Sequence, residues 1–94
     1  MTIDYTPEAR QDVVEAIERI HRENPSAAAH LADRLLSRIE RLAAGDFEGA
    51  ELDLTTGERV RSWPVPPYRV YYRRDPGRLL VVRVYHQARE PIAR

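Results

Sequence analysis

The chain has 94 residues, with fifteen arginines against fifteen acidic side chains, no lysine and no cysteine, so its formal net charge is zero and it can form neither disulfides nor thiolate metal sites. A single domain over residues 1–94 buries roughly 60–65% of its unfolded surface, which leaves little room for an elaborate site. No apolar run is long enough to cross a membrane, and the opening MTIDYTPEAR is acidic rather than basic-then-apolar, so no membrane association and a cytoplasmic location are expected. His21, His30 and His86 lack ligand spacing, so neither a metal nor another cofactor is expected.

In chain order, TIDY alternates as a short strand. Thr6 is placed to cap a helix with Pro7 at its first position, where a missing N–H costs nothing. Ala9, Val13, Ala16, Ile17 and Ile20 recur at helical spacing. The ENPS break ends that helix, Asn24 caps a second, and Ala28, Leu31, Ala32, Leu35, Leu36, Ile39, Leu42 and Ala43 form its apolar stripe, up to a left-handed cap at Gly45. The short link predicts an antiparallel helical hairpin, apolar on one side and needing a sheet to cover. DFEGAELDLTTGE has little periodicity and reads as a loop. RVRSWPV, YRVYYRR and RLLVVRVYH then read as three strands, the first confined to an edge or a bulge by its prolines, with Trp63 packed on the helices. The fold class is therefore α+β in two layers: an N-terminal strand and a helical hairpin on a C-terminal antiparallel sheet.

Charge divides along this order. Residues 1–54 carry six arginines against twelve acidic groups, and residues 55–94 carry nine against three. Either the basic part meets an anionic partner, a nucleic acid or an acidic protein, or the two parts neutralise each other across the fold. With a three-residue turn at Asp75–Gly77, Arg74 would face Arg78. Tyr68, Val70 and Tyr72 would then meet Val84, Val82 and Leu80 on the core side. The far side would carry Arg69 opposite Arg83 and Tyr71 opposite Val81, with Arg73 and Tyr85 nearby, an arginine–tyrosine face suited to recognition.

TPEARQDVVEAIERI, NPSAAAHLADRLLSRIERLA and, above all, VRSWPVPPYRVYYRRDPGRLLVVRVYHQARE resemble the ParE/RelE superfamily of type II toxin–antitoxin toxins over nearly the whole chain, closer to the ParE members often described as plasmid stabilisation proteins. The resemblance implies the two-layer fold and a cognate antitoxin whose acidic segment folds as it wraps the toxin. Two activities occur on this fold. ParE-like members bind DNA gyrase without catalysis; RelE-like members cut mRNA on the ribosome. For the second, Arg69, Arg89, His86 and Arg61, or Arg59 in place of Arg61, would be the catalytic candidates. The RelE-type C-terminal tyrosine has no counterpart after Arg89, and arginine stays protonated throughout the useful pH range.

The expectation is therefore a gyrase-directed toxin with no catalytic residue. Arg59, Arg61, Arg69, Tyr71, Arg73, Arg83, Tyr85 and Arg89 would contact the target or the antitoxin. A RelE-like ribonuclease is the alternative, and a non-toxic antitoxin-binding module the second. A toxin homodimer is left open.

Overall fold

The structure is a computed structural model that describes residues 1–88. β1 (Thr2–Tyr5) leads into α1 (Pro7–Glu23) and α2 (Pro25–Ala44). Four strands follow: β2 (Ala50–Asp53), β3 (Arg59–Val65), β4 (Tyr68–Asp75) and β5 (Arg78–His86). The local signals act as read. The Thr6 hydroxyl accepts from the Ala9 N–H at 3.0 Å, the Asn24 side-chain Oδ1 accepts from the Ala27 N–H at 3.0 Å, and Gly45 closes α2 at φ 83°.

The five strands form one sheet in the order β1-β5-β4-β3-β2. β1 runs parallel to β5, so the sheet is mixed rather than purely antiparallel. The helices cover one face through Ala9, Ala16, Leu31, Leu35, Ile39 and Leu42, packed on Val65, Tyr68, Val70, Tyr72, Leu79, Val81 and Val84, with Trp63 half-buried beside them.

Three expectations are corrected. Part of the predicted loop is strand β2, pairing Ala50–Asp53 with Ser62–Arg59. Four residues show too little alternation to be read as a strand, and the close approach at Gly49 does what pattern does not: a Cβ there would lie 1.9 Å from the Ser62 carbonyl oxygen. β3 is consequently interior along Arg59–Ser62. Its one proline, Pro64, is tolerated because β2 stops opposite Ser62, leaving Trp63–Val65 on an open edge.

The third correction is the β4–β5 register. The turn has two central residues, Pro76 and Gly77, with Asp75 paired to Arg78. Proline excludes the primed turns, which need positive φ at the first central position; Gly77, at φ 76°, supplies it at the second. Arg74 then pairs with Leu79, Arg73 with Leu80 and Tyr72 with Val81. Val82 is an extra residue, and pairing resumes with Tyr71 to Arg83, Val70 to Val84, Arg69 to Tyr85 and Tyr68 to His86. This bulge puts Leu79, Val81 and Val84 on the helix side, while Leu80 and Val82 join Leu52, Leu54, Val60, Tyr71 and Tyr85 in a second small cluster on the far face.

Candidate functional site

The far face is where the sequence places an arginine–tyrosine surface. Arg69, Tyr71, Arg73 and Tyr85 do gather there, around the Leu54, Val60 and Val82 side chains. Arg69 donates through Nη1 to the buried Ser62 hydroxyl at 2.8 Å. Burial pushes the Tyr71 hydroxyl above its ordinary pKa, against the charge of Arg69. Arg73 is tied to Glu58 at 2.9 Å and to Asp75 at 3.0 Å. Among the described residues, Arg69 is the one strand arginine with no carboxylate within ion-pair distance.

Arg83 does not stand opposite Arg69. The bulge aims it over the β5 edge, where Nε and Nη2 donate to the two Asp12 carboxylate oxygens at 2.7 and 3.0 Å; the Val84 N–H also donates to Asp12, at 3.0 Å. Asp12 is nearly buried, and its hydrogen bond holds Arg83 above the ordinary guanidinium value. The Arg83 guanidinium also lies 5.5 Å from the Tyr85 ring centroid. This pair therefore staples α1 to β5.

Arg59 and Arg61 lie on the opposite, helix-side face. Arg59 pairs with Asp53 at 3.1 Å, and Arg61 with Glu51 at 3.0 Å and the Gly49 carbonyl at 2.8 Å. Beside them is a hub that sequence reasoning missed. Tyr72 donates to Glu48 and accepts from the Gly49 N–H at 2.7 Å, while Arg74 donates to Glu48 at 2.8 Å. Burial pushes the Tyr72 hydroxyl up to about 12, helped by its hydrogen bond to Glu48. Burial works against ionising Glu48, but hydrogen bonds from Arg74 and Tyr72 and the charges of Arg74 and Arg61 hold its carboxyl below its usual value. The available signal was Glu48-Gly49 ahead of a run of arginines, legible only once Gly49 is seen to touch β3.

His86 lies on the helix side, its ring edge-on to Tyr68 at 5.1 Å, and its Nδ1 accepts from the Ala88 N–H at 3.0 Å. Arg89 lies outside the described residues. Between the helices runs an apolar groove lined by Tyr5, Val13, Val14, Ala32, Leu35, Leu36 and Ile39, with Arg10 at its rim. Val14 and Leu36 are 47% and 52% exposed, although the helical period assigns Leu36 to the buried stripe. Among the described residues no cluster of histidine and acidic side chains could hold a metal ion, and no helix is long and apolar enough to cross a membrane.

A search of curated proteins returns no match. Among solved structures, one described as the chromosomal ParDE toxin–antitoxin system from P. aeruginosa superposes with a TM-score of 0.73 at 15% sequence identity, covering 92% of this chain and 95% of that one. At that identity the likeness concerns the fold: two helices on a five-stranded mixed sheet. A family model described as the ParE toxin of the type II toxin–antitoxin system parDE matches residues 3–91. Nearly the full chain is spanned by that match, and the chain belongs to the ParE toxin family of type II toxin–antitoxin systems.

Proposed function

We propose that the protein is a non-catalytic toxin acting in the cytoplasm, which docks on DNA gyrase through the far face of its sheet and is neutralised by a cognate antitoxin bound directly to it. The observation that carries this reading is the composition of that face. Its centre is a buried apolar cluster, and among the described residues no side chain beside Arg69, Ser62 and Tyr85 is placed to exchange a proton near neutral pH. Arg73 and Arg83 are held by carboxylates, and His86 sits on the other side of the sheet with Nδ1 committed to the backbone. Such a surface supports docking, with the half-exposed Arg69 and Tyr85 as anchors over the buried Tyr71, Leu54, Val60 and Val82. The interhelical groove fits the apolar side of an antitoxin segment that folds on binding.

The test adds purified protein to gyrase supercoiling and cleavage assays and, in parallel, to translating ribosomes followed by primer extension on the mRNA. Blocked supercoiling or trapped cleaved DNA with intact mRNA is expected. Codon-positioned cuts with unaffected gyrase would replace this reading with the ribonuclease one. Arg69→Ala is expected to weaken gyrase inhibition at least tenfold while leaving the melting temperature within a few degrees, since it removes one hydrogen bond at a half-exposed site.

A further inference from the structure

The surface of α2 divides into three strips. Leu36 and Ala32 look into the interhelical groove. Asp33, Ser37 and Glu40, all exposed, form the next strip at i, i+4 and i+7. Arg34, Arg38 and Arg41, also exposed and at the same spacing, form the third, on the side facing β3. Two contacts fix that direction. Arg34 donates to the Pro66 carbonyl at 2.9 Å, and Arg41 lies over the Phe47 ring, 5.1 Å from its centroid. Phe47 in turn stacks on Trp63 with centroids 4.2 Å apart and planes 19° from parallel. Asp46 is the one carboxylate that pairs with this strip among the described residues, at 3.2 Å from Arg41. Arg38 has no hydrogen-bond or ion-pair partner among them.

We infer that this strip is a docking surface for an extended acidic peptide segment of a protein partner. Helical rise spaces Arg34 from Arg38 by about 6 Å and Arg38 from Arg41 by about 4.5 Å, and the long arginine stems take up the difference from the roughly 6.6 Å repeat of alternate side chains on an extended chain. Carboxylates on alternate residues therefore meet successive guanidinium groups, each able to grip one bidentately. Contacts with the Pro66 carbonyl and the Phe47 ring pre-order two of the three arginines, which lowers the entropy lost on binding.

The surroundings favour a narrow peptide over nucleic acid. The neighbouring Asp33 and Glu40 strip repels a broad polyanion such as duplex DNA. Phe47 is already stacked on Trp63 and approached by Arg41, which leaves that ring less open to a base of a single strand. The inference is independent of which target the toxin poisons and concerns a surface separate from the interhelical groove.

The chain carries its own reporter, because Trp63 is its only tryptophan and belongs to the stack. The experiment titrates purified protein with a synthetic peptide of alternating glutamate and serine at low ionic strength, following Trp63 fluorescence. Saturable, salt-sensitive binding is expected, with at least tenfold weaker binding of the peptide in which glutamine replaces glutamate. The triple substitution Arg34→Gln, Arg38→Gln and Arg41→Gln is expected to weaken binding at least tenfold. Arg38→Gln alone should weaken it about threefold, which keeps the test decisive if the triple variant melts early. A charge change on α1, Arg19→Gln with Arg22→Gln, is expected to change affinity less than twofold. No saturable response, equal binding of the glutamine peptide, or equal loss in the α1 variant would overturn the assignment. Tighter binding of a duplex or single-stranded oligonucleotide that is lost in the α2 variant would reassign the strip to nucleic acid.

Discussion

Gly49 and Tyr72 are two halves of one contact. The backbone of Gly49 approaches Ser62 so closely that any side chain is excluded, and the Tyr72 hydroxyl then fills the space beside it, accepting from Gly49 and donating to Glu48. Gly49→Ala forces the chain apart and is expected to cost about 2–3 kcal/mol, as overpacking a tight site does, read as a lower urea midpoint with an unchanged slope. Tyr72 makes a second prediction in alkali. Its folded pKa, about 12, lies above the ordinary tyrosine value of 10.0, so the neutral form is favoured by folding. The stability this contributes is fully present below about pH 10 and is lost as the pH rises through about 12. Ultraviolet titration of the native protein should show one tyrosine ionising last, and Tyr72→Phe should remove that late step.

At the scale of elements, what is legible in sequence is what is decided locally. Thr6, Asn24 and Gly45 act within one turn of themselves, so the helix limits follow from chemistry a few residues wide. The β4–β5 register did not follow, because a proline-set two-residue turn and a bulge at Val82 must be known together before either strand's faces can be assigned. The expected arginine face of the hairpin is split, with Arg69 and Arg73 on the far side and Arg83 turned over the β5 edge to Asp12. Their carboxylate partners come from far along the chain, Asp12 for Arg83 and Glu48 for Arg74, and no spacing rule reports such pairs. Leu36 is the opposite case, periodic with the core yet open to the groove. Leu36→Glu is therefore expected to change stability by less than about 0.5 kcal/mol, as surface substitutions do, while abolishing rescue of growth by the co-expressed antitoxin. Retained rescue would place the antitoxin elsewhere.

For the molecule as a whole, the opposite charges of its two halves are largely spent within the fold. Arg83 meets Asp12 and Arg78 meets Asp4 across the chain, while Arg59, Arg61 and Arg74 meet the acidic residues of 48–53. Most of these pairs are solvent-accessible, where each contributes about 0–1 kcal/mol, so they shape the surface more than they hold the fold together. Their sum still sets the acid limit. Hydrogen bonds from Arg73 and Arg78 hold Asp75 below its usual value, and Glu48 is held down too. Both folded pKa values are depressed, so the stability they confer is present above the ordinary carboxylate range and is lost as the pH falls through the lower, folded values. The urea midpoint is expected to drop as the pH falls below the ordinary carboxylate range, and Glu48→Gln should flatten part of that fall.

The pairing of β1 with β5 also fixes when the molecule can exist. Thr2 finds its partner at Arg78, so the first strand to leave the ribosome has nothing to pair with until almost the last residues are made. Synthesis runs from the N-terminus at about 5–20 residues per second, so for several seconds the helical hairpin is present while the sheet that would bury it is incomplete. The far face is complete only once β4 and β5 are made, and Arg69 and Arg73, which give it its charge, emerge late. The complete sheet thus arises in a single late step, with the parts of the far face brought together at once.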